Sequence, residues 1–183
     1  MNLPQMVNRP GLFAMSPADG IVIFWPHSAA MGAAAGSGGA LPVSMARRAV
    51  IGGSRRGINP LFQHMVVRGF SFANFSRESA IYAGNSADSL TIADNLFRGN
   101  ANAYTRAGVI GVAFATNVKI IRNELTEAPG SPGIIIDYTE GPVEVSCNRL
   151  SELGRTGIRL LNVRNGTVRG NYLTGIKGAH SNA

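Results

Sequence analysis

The chain has 183 residues, enough for one domain, and is 45% hydrophobic but only 15% charged, a balance that excludes disorder over most of its length. No apolar run reaches the length of a transmembrane helix; the single cysteine, Cys147, excludes a disulfide framework and an all-Cys zinc site, and the three histidines do not cluster. Seventeen Lys and Arg against ten Asp and Glu give a net charge of +7, but no nucleic-acid motif accompanies it, so the excess suits a solvated basic surface or an acidic polymer partner.

Residues 12–15 and 21–25 read as two strands around the turn sequence Ser16, Pro17, Ala18, Asp19, Gly20. Residues 29–40 are mostly Gly, Ala and Ser and read as a mobile connection. The glycines at 36, 38 and 39 lack the Lys-Ser/Thr ending of a phosphate loop, which argues against a phosphate site. Residues 41–51 offer a further strand and 52–60 a basic loop. The expected division is therefore a strand-rich segment with its linker, 1–60, followed by a second region, 61–183. The start of the chain has no charged stretch leading into an apolar core, so it carries no conventional secretion signal.

From Met65 onward one pattern recurs: apolar, any, apolar, any, any, Asn, any, apolar. It appears as Leu90, Ile92, Asn95, Phe97; as Val118, Ile120, Asn123, Leu125; as Val143, Val145, Asn148, Leu150; and with Val168, Asn171, Leu173. An earlier copy, Met65, Val67, Phe70, Phe72, has Phe at the Asn position. Successive key positions lie 25, 28, 25 and 23 residues apart. Alternating apolar residues mark a strand, and a period in this range marks stacked units that bury a core only against their neighbours. A second strand follows in each copy, beginning at Ala80, Gly108, Gly133, Gly157 and Gly178. With no helical spacing between them, the strands predict a coil that winds once per repeat. The Asn would then recur at one strand spacing and form an amide ladder, or serve as a left-handed turn residue.

These Val/Ile-x-x-Asn-x-Leu/Phe units and the Gly-Ile strands after them resemble the right-handed parallel β-helix proteins of the pectate-lyase-like superfamily. The resemblance covers residues 61–183. Residues 13–26 also resemble a hairpin that precedes the helix in some uncharacterised bacterial members. The resemblance implies an all-β, single-stranded, right-handed parallel β-helix of about five coils, flanked by an N-terminal β-rich segment. The family includes polysaccharide lyases, pectin-type glycosidases, uronate epimerases and phage tailspikes, and most members are exported. Export of the parent protein to the periplasm or beyond is therefore expected. The last strand opens at Gly178 with no cap after it, and the expectation is that this chain is a piece of a longer β-helix.

Counting each second strand from its first residue places one outward column at Tyr82, Ile110, Ile135, Arg159 and His180. A second column holds Gly84, Val112, Asp137, Leu161 and Asn182. Asp137, Arg159, Lys177 and His180 form the candidate catalytic group, with Arg155 and Tyr82 as substrate-binding residues. Arg can hold a sugar carboxylate and ease removal of the adjacent carbon proton, which Lys177 or His180 would accept: β-elimination by a polysaccharide lyase, or epimerisation. Asp137 with Glu140 is the alternative pair, for hydrolysis. The apolar Ile110, Ile135 and Val112 on that face count against a wholly polar cleft. The competing expectation is a noncatalytic glycan-binding or surface-adhesin module. The expected partner is a polysaccharide, anionic or neutral, with no nucleic acid, membrane, metal or cofactor.

Overall fold

The computed structural model describes residues 13–15, 22–24, 50–52, 57–58, 63–75, 78–84, 87–100 and 108–178. The expected linker at 29–40, the loop at 53–56 and the final strand beyond Gly178, with His180, lie outside them. Strands β1 (Phe13–Met15) and β2 (Val22–Phe24) pair antiparallel, Phe13 opposite Phe24, as the turn sequence between them predicts. Every other strand pairing among the described residues is parallel.

Three sheets run along the molecule, and no helix occurs among the described residues. Sheet I stacks β4 (Val66–Arg68), β7 (Thr91–Ala93), β10 (Val118–Ile121), β13 (Val143–Ser146) and β16 (Gly166–Arg169). Sheet II stacks β3 (Val50–Gly52), β5 (Ser71–Ala73), β8 (Leu96–Arg98), β11 (Glu124–Thr126), β14 (Arg149–Ser151) and β17 (Tyr172–Thr174). Sheet III stacks β6 (Ile81–Ala83), β9 (Ile110–Ala113), β12 (Ile134–Thr139) and β15 (Ile158–Val163). Each turn of the chain visits sheets I, II and III once. The result is a parallel β-solenoid of about four turns, and β3, from the first 60 residues, extends sheet II beside β5.

The alternation of apolar residues becomes columns inside the solenoid. Val67, Ile92, Ile120, Val145 and Val168 stand in register on sheet I. Phe72, Phe97, Leu125, Leu150 and Leu173 do so on sheet II, where the rings of Phe72 and Phe97 stack 4.8 Å apart. All these side chains are fully buried except Val168 and Leu173, in the last coil, which are 49% and 43% exposed.

The corner between sheets I and II explains the recurrent Asn. Gly69, Asp94, Arg122, Cys147 and Gly170 all have left-handed backbone there, with φ between 53° and 77°. The left-handed residue is thus the one before the Asn, so Asn is not kept for backbone permissiveness. Its role is the ladder. Asn95 Nδ2 donates to Asn123 Oδ1 at 3.0 Å, Asn123 Nδ2 to Asn148 Oδ1 at 3.0 Å, and Asn148 Nδ2 to Asn171 Oδ1 at 2.9 Å. Each Oδ1 also accepts the backbone N–H of the key residue one coil earlier, and each Nδ2 donates to a sheet I carbonyl of that coil. Asn95, Asn123 and Asn148 are buried, and this network satisfies groups that would be costly to bury unpaired.

One expected register fails. Ile134 stands opposite Ile110, so Gly111 and Ala113, not Ile110 and Val112, project outward on β9. Ile110 and Val112 are core residues. The strand therefore begins one residue later than Gly108 suggests, and a one-residue slip exchanges the two faces. Ile135 does point outward, as expected, yet it is 1% exposed.

Candidate functional site

On the outer face of sheet III the register places Tyr82, Gly111, Ile135 and Arg159 in one column, with Asp137 beside it. Arg159 and Asp137 meet: an Arg159 Nη2 donates to Asp137 Oδ2 at 3.1 Å, from adjacent coils and from half-buried positions. Two buried atoms of the pair, Asp137 Oδ1 and Arg159 Nε, have no hydrogen-bond partner. Tyr82 lies on the same face, its ring edge over Gly111, where an added Cβ would come within 3.0 Å of the ring. It is three strand spacings from Arg159, about 14 Å. Arg155 and Lys177 belong to the turn from sheet II to sheet III, where the Lys177 backbone N–H donates to the Leu153 carbonyl at 2.9 Å. Among the described residues no hydrogen bond or ion pair joins either side chain to Asp137 or Arg159. The candidate group thus contributes one ion pair, with its other described members elsewhere on the surface. No group of three His, Cys, Asp or Glu positioned to hold a metal ion occurs among the described residues.

A different set of residues gathers around the corner from sheet III back to sheet I. Phe114 and Tyr138 occupy equivalent positions in consecutive coils, just after the register pair Ala113 and Asp137. Both have left-handed backbone, as does Asn162 one coil further on. That conformation turns the side chains out of the solenoid. Phe114 is 57% and Tyr138 48% exposed, and their rings stack 5.2 Å apart and 7° from parallel. They line a groove of about 520 Å³ with Thr139, Glu140, Asn162 and Arg164 among its walls. Thr139 is buried at its base, and its hydroxyl has no partner.

A second groove, of about 700 Å³, runs along sheet I on the other side of the same turns. Thr91, Lys119, Glu144, Thr167 and Arg169 line it across four coils, with Asn117 and Asn165 at the turns. Glu144 accepts from Arg169 at 2.9 Å and from Ser146 Oγ at 2.8 Å. These contacts, Arg169 first, hold its carboxyl below the usual range. Lys119 projects into solvent one coil below Glu144. At the turn itself Asp88 accepts hydrogen bonds from the Thr116 hydroxyl and from Asn117 Nδ2, fixing the corner.

Aromatic residues at matching points of consecutive repeats are a signal that sequence reading can use. Here it was hidden by the one-residue slip, which aligns Phe114 with Thr139 instead of Tyr138. No family model, no curated protein and no solved structure matches the chain.

Proposed function

We propose that this β-solenoid binds glycans on its outer surface, without catalysing a reaction, at the Phe114–Tyr138 corner and the grooves beside it. The observation that carries this reading is the exposed, coplanar pair of rings. An exposed apolar platform of that kind is costly in water unless something covers it, and the face of a sugar ring offers flat C–H surface to do so. The charged Glu140 and Arg164 supply hydrogen-bonding groups at its rim. A site with an apolar floor and a few polar groups is the usual composition of a small-molecule pocket. Titration calorimetry against a panel of neutral and acidic polysaccharides tests this. Binding should be saturable, and Phe114→Ala and Tyr138→Ala should each weaken it by about 1 kcal/mol. No binding to any glycan, or binding indifferent to both substitutions, would remove the reading.

A second reading is favoured by the Asp137–Arg159 pair, which holds a partly exposed guanidinium on the outer face of sheet III. In it Arg159 orients a uronate carboxylate for β-elimination, and the protein is a polysaccharide lyase. Incubation with uronate polymers would then generate an ultraviolet-absorbing unsaturated product that Arg159→Ala abolishes; absence of that product from the unsubstituted protein rejects it.

A further inference from the structure

We infer that the groove at the Phe114–Tyr138 corner takes a neutral sugar with adjacent free hydroxyls and excludes uronates. The inference rests on the reading that this corner binds a glycan, and it names the class of sugar. A second outward column runs beside the column of rings. Thr116 follows Phe114 in it, Glu140 follows Tyr138, and Arg164 follows Asn162, each after one intervening residue. Those intervening residues, Ala115, Thr139 and Val163, turn inward, and Thr139 stands opposite Val163 in register. The groove thus lies between the rings and the pair Glu140 and Arg164. Phe114 follows β9 and Tyr138 lies in β12, strands that are each paired on both sides. The exposure of the rings is therefore set by the corner and not by the edge of a sheet.

Elsewhere on the surface, opposite charges on adjacent coils join: Arg98 with Glu127, Arg122 with Asp94, Arg159 with Asp137 and Arg169 with Glu144. Glu140 and Arg164 also carry opposite charges on adjacent coils, yet neither has an ion-pair partner among the described residues. No other charged residue lines this groove among those described, so its charge sums to zero although the whole chain carries +7. The local balance decides what can sit there. A carboxylate accepts hydrogen bonds and cannot donate; a guanidinium donates and cannot accept. A hydroxyl does both, so two adjacent hydroxyls of one sugar can donate to Glu140 and accept from Arg164. The Asn162 amide, with a donor and an acceptor, suits the same groups. The C–H face of the sugar meanwhile covers a ring. A uronate in the same place brings a second carboxylate beside Glu140, and that repulsion, with the cost of drying another charge, offsets its gain from Arg164.

The groove on sheet I makes the contrast. There Glu144 is already engaged by Arg169 and Ser146, which leaves Lys119 without an ion-pair partner among the described residues. Acidic polymers drawn by the net positive charge should collect on such cations, away from the rings. Dependence on Tyr138 therefore separates binding at the aromatic groove from general attraction.

The test is affinity electrophoresis of the full chain in about 0.3 M salt, which screens general attraction of acidic polymers. The neutral probes are dextran, galactomannan and fully methyl-esterified homogalacturonan; the acidic probes are polygalacturonate and alginate. At least one neutral polymer should bind saturably, and Tyr138→Ala should weaken that binding. Glu140→Gln and Arg164→Gln, both exposed changes outside the core, should each weaken it by about tenfold, the loss of a hydrogen bond to a charged group. Glu140→Gln should also admit polygalacturonate to the site, seen as new binding that depends on Tyr138. Two results overturn the inference and leave the glycan reading standing. One is Tyr138-dependent binding of an acidic polymer by the unsubstituted chain as tight as that of any neutral one; the other is neutral binding indifferent to both Glu140→Gln and Arg164→Gln. Absence of Tyr138-dependent binding to every polymer removes both.

Discussion

The carboxamide of Asn148 is bonded on both sides of its coil: its Oδ1 accepts from Asn123 Nδ2 at 3.0 Å, and its own Nδ2 donates to Asn171 Oδ1 at 2.9 Å. The same Oδ1 takes the Asn123 backbone N–H, and the same Nδ2 reaches the Ile120 carbonyl at 2.8 Å. Replacing it with Leu removes these partners together and leaves buried donors and an acceptor unpaired. Asn148→Leu should lower stability by roughly 1–3 kcal/mol. Asn171→Leu should cost less, since that residue is only partly buried and has no coil beyond it among the described residues. Urea unfolding of both variants checks the order; equal midpoints would show that the ladder contributes little.

Gly133 sits where the chain enters sheet III, and a Cβ there would lie 2.5 Å from the Gly157 carbonyl oxygen and 2.7 Å from Leu150 Cδ2. One obstacle is backbone, which cannot rotate away. Gly133→Ala should cost about 3 kcal/mol or more, from overpacking in a rigid core. Gly170→Ala makes the contrast. Its Cβ has ordinary contact with Cys147 Sγ at 3.5 Å, so only the left-handed φ of 60° opposes it, at about 1 kcal/mol. Thermal unfolding of the two variants should separate steric from conformational cost.

Much of the fold was legible because the apolar alternation and the Asn spacing are both set by the stacked coil. Ile92, Ile120, Val145 and Val168 could be assigned to one column from the sequence, and the structure places them there. Asp137 and Arg159 could be placed on adjacent coils because the copies at Gly133 and Gly157 are in true register. Gly108 misled the reading, since the turn into β9 contains one residue more before the strand, and periodicity carries no information about turn length. Side-chain direction at the Phe114–Tyr138 corner was invisible for a second reason. It depends on a left-handed backbone at residues that are neither Gly nor Asn, which composition does not reveal.

Asp94 is held between two coils, with Arg68 Nε at 2.8 Å on one side and Arg122 Nε at 2.8 Å on the other. Its carboxyl is held below the ordinary range, chiefly by the hydrogen bond from Arg122 and, to a lesser degree, by the charges of both arginines. Because the folded value is the lower one, the stabilisation is fully present above the unfolded value, about 4, and is lost as pH falls through the folded value. The arginines are more than half exposed, so solvent screening limits the effect to under about 1 kcal/mol. Urea midpoints measured from neutral pH into the acid range should fall less steeply for Asp94→Asn than for the unsubstituted chain. Identical slopes would assign the acid sensitivity to other carboxylates.

Phe114 and Tyr138 should be coupled even without a ligand. Their rings are 5.2 Å apart and nearly parallel, a stacked geometry within the range where aromatic pairs gain about 0.5–1.5 kcal/mol beyond their buried area. Both residues hold left-handed backbone at a corner that points them into solvent, so nothing in the core requires an aromatic at either place. A double-mutant cycle with Phe114→Ala, Tyr138→Ala and the double variant, read by urea unfolding, should return a coupling energy in that range. The single variants should be only mildly destabilised, because truncation opens no cavity. The same four proteins then serve for glycan titration. If stacking preorganises the platform, the double variant should lose less than the sum of the single losses, since removing either ring already disrupts the surface. Strict additivity in binding, with coupling in stability, would mean that the rings support the corner but contact a glycan independently.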